Sequence, residues 1–249
     1  YARAAYQTAK AARSKPSIPV AFKAYGITVN PVAETEPDES QNRPDKRPMS
    51  AAELRLYWKL IKPLAGLKGA LLRLHLLTGA QRIEQLVRLQ TVHAVDDVIV
   101  LHDGKGRPGH PPRPHMLPLI KEAKAALAEC KPAGEFALST DGGNTHVAAT
   151  TLSHWAVEAA GDHIDSFQAK RIRSGVETLL ASASVPKETR GRLQSHGIVG
   201  VQARHYDGHD YMAEKRQALE TLFKLLQKGS AAPKRAAAKR SRERDMVPA

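Results

Sequence analysis

Apolar residues along the chain recur mostly with the spacing of helices. Residues 50–53, Ser-Ala-Ala-Glu, form a capping box, and the apolar positions that follow it lie three and four residues apart. A capping box satisfies backbone N–H groups at a helix N-terminus, so it predicts where this helix begins. The same spacing predicts further helices at Tyr1–Arg13, Leu67–Leu77, Ile120–Cys130, Thr150–Ala160, Ser166–Ser182, Pro186–Gln194 and Asp210–Gln227. Another helix is predicted after Gly79, with apolar positions up to Leu89. The helix at Pro186–Gln194 has proline as its first residue, a position that proline favours.

Two short apolar segments are typical of strands. Val98–Leu101 and Met116–Leu119 flank residues 103–114, which are rich in glycine and proline, so they predict a hairpin with a long tip. Phe136–Leu138 favours one further short strand. Many helices around so few strands predict a fold that is mainly α with a small antiparallel β-sheet, in the α+β class.

The composition changes twice along the chain and so predicts the domain boundaries. Residues 14–48 contain six prolines and a polar, charged stretch, which is typical of a linker. The helix at 1–13 is then predicted to be the end of a mostly missing preceding domain, and residues 49–228 the main domain. Residues 229–249 are rich in Ala, Lys and Arg and are predicted to be a disordered basic tail, either a solubilising end or an arm lying on phosphates.

The charge of the chain indicates the class of partner. The formal net charge is +13 and the isoelectric point is near 9.9, and most of the excess remains when the basic tail is left out. Such a balance favours a polyanion, with nucleic acid first and an anionic membrane surface second. No apolar segment reaches the roughly 18 residues of a membrane-spanning helix, so the chain is expected to be soluble. The single cysteine, Cys130, excludes a disulfide within the chain and a multi-cysteine zinc site.

Several common catalytic motifs are missing from the sequence. It has no Gly-rich phosphate loop ending in Lys-Ser/Thr and no G-x-G-x-x-G after a strand. His205 and His209 stand four residues apart, but the glutamate that follows the first histidine in a zinc-protease helix is absent. We therefore expect no metal and no cofactor.

A dispersed set of cations and one tyrosine forms the candidate site instead. Arg82 follows a Thr-Gly turn, one lysine lies in the hairpin tip, and a lysine and an arginine three apart share a helix face. A histidine in Leu-Gln-Ser-His-Gly is followed ten residues later by a tyrosine. The candidate residues are Arg82, Lys105, Lys170, Arg173, His196 and Tyr206.

These residues resemble the motifs of the tyrosine recombinase (phage integrase) family. Its members carry Thr-Gly-x-Arg at a helix start, a lysine in a β-hairpin, His-x-x-Arg, Leu-Gly-His, and a tyrosine nine or ten residues after that histidine. The motifs here occur in the same order and span Ser50 to Gln227. The resemblance implies a mainly helical catalytic domain with a three-stranded sheet. It also implies that the helix at 1–13 ends a core-binding domain that completes a clamp around DNA.

The resemblance also implies a reaction and an assembly. The activity would be site-specific recombination of double-stranded DNA without metal or cofactor, in the bacterial cytoplasm and as part of a mobile element. A homo-tetramer would assemble on the DNA, because the terminal segment of family members commonly packs on a neighbouring protomer. In this chain that segment is the predicted helix Asp210–Gln227.

The residue types suit the roles that the resemblance implies. Arg82 and Arg173 would hold non-bridging phosphate oxygens with their planar forks. Tyr206 would be the nucleophile that forms a 3′-phosphotyrosyl bond. Lys105 would protonate the leaving 5′ oxygen, and His196 would bind a phosphate oxygen or take the proton of the nucleophile. At the histidine position of His-x-x-Arg stands Lys170, which can act as a point charge on the phosphate.

The chain departs from the family pattern at several positions. The first motif reads Thr-Gly-Ala-Gln-Arg, one residue longer than usual, and alignment on Arg82 puts Gln85 where the family has an acid. An uncharged Gln85 would orient Arg82 less firmly. Tyr211 is a rival nucleophile, fifteen residues after the histidine, and Arg107 or Arg113 could serve in place of the hairpin lysine.

Other classes of function are also compatible with the composition. A type IB topoisomerase would use the same chemistry, and a DNA-binding protein of this fold could have lost activity. A basic architectural or RNA-binding module would explain the charge but not the ordered motifs.

Overall fold

A computed structural model describes residues 2–35, 47–104, 111–196 and 210–228 of the chain. The chain divides into two compact units, Tyr1–Asp45 and Lys46–Ala249. Within the described ranges, no helix has both the length and the apolar character needed to cross a membrane.

The first unit contains the predicted N-terminal helix. This helix, α1, spans Ala2–Ala11, and a 3₁₀ helix follows at Val20–Tyr25. The chain then returns to α1, where the buried Asn30 donates a hydrogen bond of 3.0 Å from Nδ2 to the carbonyl of Arg3. Residues from the predicted linker therefore make specific contacts in this unit. The assignment of α1 to a core-binding domain stays a prediction.

The second unit is built mainly of helices, which surround one apolar core. Two 3₁₀ turns, Thr91–His93 and Gly161–His163, accompany them. In the described part of this unit the helices are α2 (Ala51–Ile61), α3 (Gly66–Leu77), α4 (Ile83–Leu86), α5 (Lys121–Glu129), α6 (Ala149–Ala160), α7 (Ala169–Ser182), α8 (Lys187–Leu193) and α9 (Met212–Gln227).

The N-termini of α2 and α8 show how the local sequence determines the residue at which a helix begins. Ser50 is the N-cap of α2: its Oγ accepts from the backbone N–H of Glu53 at 3.2 Å, and Glu53 Oε2 accepts from the N–H of Ser50 at 2.7 Å. The predicted capping box is confirmed. Pro186 is the N-cap of α8, with ψ of 143°, and not its first residue as predicted. The extended backbone at Pro186 places the first helical residue at Lys187.

The sheet has the strand order β1-β2-β3, antiparallel throughout, with β1 at Ala94–Val95, β2 at Val98–Asp103 and β3 at Arg113–Pro118. The predicted hairpin is confirmed, and both of its strands run further toward the tip than predicted. The two-residue β1 is too short for its pattern to predict. The register pairs Asp103 with Arg113 at the base of the tip, which brings an acid and a base side by side.

Helix α4 is shorter than its apolar pattern predicts. It ends at Leu86, and the carbonyl of Leu89 accepts a hydrogen bond of 2.9 Å from the N–H of Ala137. Gln90 forms an isolated bridge with Phe136, which is all that forms of the predicted strand Phe136–Leu138. Pairing between these two segments takes the backbone groups that a longer helix would use. The fold class, mainly α with a small antiparallel sheet, is confirmed.

Helix α9 packs on its own chain. Leu219, Leu222 and Leu226 are buried in the core, and Arg216 donates to the carbonyl of Leu119 at 3.0 Å and to Asp97 at 2.7 Å. The helix contacts α2, α7, α8 and β3. The apolar face of α9 therefore lies in the core of the same chain. Packing of this segment on a neighbouring protomer, which the resemblance implies, stays a prediction.

Candidate active site

The Thr-Gly turn after α3 has a backbone shape that its residues make possible. Thr78 ends α3 with its hydroxyl on the carbonyl of Leu74 at 2.8 Å. Gly79 then adopts φ of +84°, and a Cβ there would lie 3.2 Å from the side chain of Leu193. Glycine satisfies both demands, since it tolerates positive φ and leaves room for Leu193. The turn leads directly to Arg82, which is the N-cap of α4.

Arg82 is held by a buried carboxylate from the sheet. Its Nη1 donates to Asp103 Oδ2 at 3.1 Å, and the side chain of Asp103 is 5% exposed. Gln85 donates from Nε2 to Asp103 Oδ1 at 2.7 Å. The acid that the family pattern places three residues after the arginine is thus supplied from the end of β2. The expectation that Gln85 leaves Arg82 loosely oriented is wrong, because Gln85 fixes Asp103, which in turn fixes Arg82.

Arg173 enters the same region from α7. Its Nη1 donates to the carbonyl of Ala80 at 2.9 Å, and its Nη2 donates to the carbonyl of Gln194. Burial, together with the nearby charge of Arg82, lowers the pKa of Arg173 to about 10. Arg173 is still protonated at neutral pH, and two guanidinium groups are held close together.

The segment after α8 adds His196 to Arg82 and Arg173, and these three residues form the cluster of the candidate site. Gln194 is buried, and its Nε2 donates to the carbonyls of Gly79 at 3.0 Å and Arg173 at 3.1 Å. The next residue, Ser195, adopts φ of +51°, at the position where the family motif has glycine. The Nε and Nη2 groups of Arg173 lie 3.3 and 3.0 Å from His196 Nε2. A guanidinium can only donate, so His196 Nε2 accepts and the ring is neutral, with its proton on Nδ1.

Ser195 and Arg113 link the hairpin to this segment. Ser195 Oγ donates to Asp103 Oδ2 at 2.5 Å and accepts from Arg113 Nη2 at 2.9 Å. Arg113 Nη2 lies 3.5 Å from Asp103 Oδ2. In the part of the chain that the structure describes, Arg82 and Arg113 therefore contact the Asp103 carboxylate, and Arg173 lies near enough to interact with it electrostatically. The region carries an excess of positive charge, which suits an anionic ligand.

Two buried histidines support the segments that carry the cluster. His75 Nε2 lies 3.0 Å from the carbonyl of Gln81, and His115 Nε2 lies 3.0 Å from the carbonyl of Leu193. Carbonyls only accept, so each ring carries a proton on Nε2. Burial, and next the charge of Arg173, lowers the pKa of His75 to about 4. Burial, and next the charge of Lys215, lowers the pKa of His115 to about 3.

These shifts predict a loss of stability in acid. Because the pKa in the fold lies below the ordinary value of 6.5, the unfolded chain binds more protons between pH 6.5 and 4. The stability is therefore complete above pH 6.5 and falls as the pH drops toward 4. From the shift of His75, we expect a loss of about 3 kcal/mol at pH 4 from this residue alone. Urea unfolding at a series of pH values between 7 and 4 measures the free energy of unfolding at each pH and so tests this loss.

A matched pair of variants assigns the effect. His75→Gln keeps a donor for the Gln81 carbonyl and removes the titrating ring, so the free energy of unfolding should depend less on pH. His163→Gln, on an exposed ring, should leave the pH dependence as it is in the parent. If the free energy of unfolding changes with pH equally in His75→Gln and in the parent, this buried ring does not cause the loss of stability in acid.

The structure brings some of the predicted site residues together. Arg82, Arg173 and His196 converge around the turn at Gly79 and the segment after α8. Lys170 is exposed one turn before Arg173, and within the described ranges it makes no hydrogen bond or ion pair. Lys105 and Tyr206 lie outside the described residues.

The rival tyrosine is part of a packed contact. Tyr211, the N-cap of α9, donates from its hydroxyl to Glu188 at 2.8 Å, and its ring lies 4.6 Å from the guanidinium carbon of Arg192. These contacts hold Tyr211 against α8.

Sequence reasoning missed the residues that hold the arginines. The position of Asp103 at the end of an apolar strand gives no sign that it meets Arg82, 21 residues earlier. The second residue of the family motif Leu-Gly-His offers a weak signal, because Ser195 stands where glycine is expected. No spacing rule points to the buried His75 and His115. The described residues contain no group of three histidine, cysteine or acidic side chains that could hold a metal ion.

Comparison with solved structures finds the same fold in two integrases. A lambda integrase dimer bound to a COC' core site matches with a TM-score of 0.50 and 20% identity, over 77% of this chain and 70% of that one. The integrase from mycobacterium phage Brujita matches with a TM-score of 0.53 and 18% identity, over 83% of this chain and 71% of that one. Neither a protein-family model nor a curated protein sequence matches the chain.

Proposed function

Since this chain has the catalytic-domain fold of tyrosine recombinases, we propose that it is a site-specific DNA recombinase of the integrase type. It would cut and rejoin double-stranded DNA through a covalent 3′-phosphotyrosyl intermediate. The observation that carries this proposal is the convergence of Arg82, Arg173 and His196 from three separate elements on the turn at Gly79 and the segment after α8.

The cluster suits the charge of a reacting phosphodiester. Attack on phosphorus builds negative charge on the non-bridging oxygens, and donors that are already in place stabilise that charge most. Arg82 and Arg173 are fixed by Asp103 and by the carbonyls of Ala80 and Gln194 before any substrate binds. Each guanidinium offers a planar fork of donors that fits two phosphate oxygens.

The proposed bond changes give each donor and acceptor of the predicted site a role. The Tyr206 oxygen attacks phosphorus, a 3′-phosphotyrosyl bond forms, and the bond from phosphorus to the 5′ oxygen breaks. Lys105 gives its proton to the leaving 5′ oxygen. An anionic oxygen is a stronger acceptor than an imidazole nitrogen, so bound phosphate draws the fork of Arg173 away from His196. His196 Nε2 then takes the proton of the tyrosine hydroxyl. Rejoining reverses these steps, with a 5′ hydroxyl as the attacking group.

The proposed partner is double-stranded DNA, and the proposed assembly is a homo-tetramer on that DNA. The net charge of +13 favours a polyanion. The lambda integrase of the comparison is a dimer on a core site. Lys170, exposed on α7, adds a point charge near the phosphate in this proposal. The proposed reaction uses side chains alone, with no metal or cofactor. The proposed location is the bacterial cytoplasm, on DNA, with the gene on a mobile element.

Covalent trapping tests this function. The protein is incubated with nicked suicide DNA that carries its attachment site, and the products are separated on a denaturing gel. We expect a protein–DNA band with the parent chain, no band with Tyr206→Phe, and a normal band with Tyr211→Phe. The Tyr211 variant is the matched control, because it removes the same hydroxyl five residues further along the chain.

Other results would favour the other classes. Binding to the site without a covalent band would indicate a DNA-binding protein that has lost activity. Relaxation of supercoiled plasmid that lacks an attachment site, with loss of that activity in Tyr206→Phe, would indicate a type IB topoisomerase.

A further inference from the structure

Arg113 occupies an unusual place at the edge of the cluster. The sheet register puts it opposite Asp103, so it lies at the base of the hairpin tip. Its Nη2 donates to Ser195 Oγ at 2.9 Å and lies 3.5 Å from Asp103 Oδ2. About a third of the side chain, 33%, remains exposed to solvent.

We propose that Arg113 is a third arginine of the active site, which holds a non-bridging oxygen of the scissile phosphate together with Arg82 and Arg173. This inference rests on the proposed function and extends it. Asp103 and Ser195 are its positioning residues, since they fix the guanidinium of Arg113 from one edge.

The charges of the cluster fit this role. Among the described residues, Arg82 and Arg113 contact the carboxylate of Asp103, and Arg173 interacts with it electrostatically. Glu177, the other acid that acts on Arg173, forms an ion pair with Arg190, so the three guanidinium groups keep an excess of two positive charges. A phosphodiester carries one negative charge, and the attack of a tyrosine oxygen raises this toward two as the reaction proceeds. With Arg113 included, the cluster therefore matches the charge of the transition state better than that of the resting substrate, which is the condition for catalysis.

Arg113 also has donors available for a ligand. A guanidinium has five N–H donors, and the contacts of Arg113 in the described residues involve only Nη2. Asp103 meanwhile accepts hydrogen bonds from Arg82, Gln85 and Ser195. The carboxylate is thus engaged by other groups, and Arg113 can hold an anion on its exposed side.

This role differs from that of a proton donor. A guanidinium does not give up its proton in proteins, so Arg113 cannot replace Lys105 as the general acid. It acts through charge and hydrogen bonding. That distinction provides a test, because a substrate with less charge at the phosphate should need Arg113 less.

The test compares two substrates and three proteins. The proteins are the parent chain, Arg113→Ala, and Arg88→Ala as a control that removes an exposed arginine elsewhere on the same unit. One substrate is nicked DNA with an ordinary scissile phosphate. The other carries a methylphosphonate at that position as separated diastereomers, so that a methyl group replaces either non-bridging oxygen.

We expect Arg113→Ala to cleave the ordinary phosphate about 100-fold more slowly than the parent. On one methylphosphonate diastereomer the difference should shrink to a few-fold, because the oxygen that Arg113 holds is gone. Arg88→Ala should cleave both substrates like the parent. A loss of equal size on phosphate and on both diastereomers would overturn the proposal, as would unchanged cleavage of the phosphate by Arg113→Ala.

A second measurement separates this proposal from the proposed function. Inorganic phosphate should raise the melting temperature of the parent and of Arg88→Ala, and raise that of Arg113→Ala less. If the parent cleaves no DNA, the recombinase function fails, but this difference would still support Arg113 as part of an anion site. Equal stabilisation of all three proteins would overturn the role of Arg113. The melting temperatures without phosphate also show whether each variant is folded.

Discussion

Arg173→Ala should lower the rate of covalent DNA cleavage by about a thousand-fold and leave DNA affinity within a few-fold. Removal of one donor that faces developing charge in an active site costs about 100- to 1,000-fold in rate, and loss of an arginine on a reacting phosphoryl group costs about 1,000-fold or more. Arg173 is the most firmly held cation of the cluster, because the carbonyls of Ala80 and Gln194 fix its fork beside His196. Affinity depends instead on the many cations of the chain.

The neighbouring cations of α7 serve as comparisons for this variant. Lys170→Ala removes an exposed charge one turn earlier on α7, and we expect a loss of about ten-fold at most, since a solvated charge acts weakly. Arg171 is unsuitable as a control, because its side chain is 1% exposed and binds the carbonyls of Arg47 and Ser166 and the carboxylate of Glu53. Single-turnover cleavage gives the reaction rate of each variant, and a binding isotherm at one salt concentration gives its affinity for DNA. Equal losses for the Arg173 and Lys170 variants would contradict a special role for Arg173.

Asp103→Asn should reduce both stability and activity. The carboxylate is buried and stands between Arg82 and Arg113, so the amide leaves two nearby cations without their counter-charge. Breaking a fully buried ion pair costs about 3–5 kcal/mol, and the partial exposure of both arginines reduces this to about 2 kcal/mol. The cleavage rate should fall by about 10- to 100-fold, because Arg82 loses the group that orients it. Urea unfolding and single-turnover cleavage measure the two effects.

A second substitution makes this prediction specific. Gln85 Nε2 lies 2.7 Å from Asp103 Oδ1, so a carboxylate at position 85 could replace the charge lost from position 103. Gln85→Glu should therefore restore much of the stability and rate in the Asp103→Asn background. In the parent, the same change puts two carboxylates in contact and should be destabilising. Suppose instead that Gln85→Glu changes stability and cleavage rate in the same direction in the parent and in Asp103→Asn. A carboxylate at position 85 then does not replace the one at position 103.

The sequence predicted the elements whose signals are local. The capping box at Ser50 and the apolar spacing after it define α2, and the turn at Gly79 needs a residue that tolerates positive φ. The order of the motifs also predicted that Arg82, Arg173 and His196 belong to one site. Such signals depend on neighbouring residues, which is why they are visible in one chain.

What the sequence could not predict depends on contacts between distant segments. Arg171 and Arg173 stand two residues apart on α7, yet one is a buried structural residue and the other faces the site. Their difference comes from what packs against each side of the helix. The role of Asp103 likewise arises from the hairpin register and from the position of α4. Neither arrangement leaves a pattern in the residues around it.

The most direct test of the proposed reaction identifies the residue that becomes joined to DNA. The trapped complex is digested with nuclease and then with a protease that cuts before aspartate. This digestion separates the peptide 165–206, in which Tyr206 is the only tyrosine, from the peptide 210–244, in which Tyr211 is the only tyrosine. The proposed reaction predicts a nucleotide mass on the first peptide, at Tyr206. A nucleotide on the second peptide, or on neither, would contradict it.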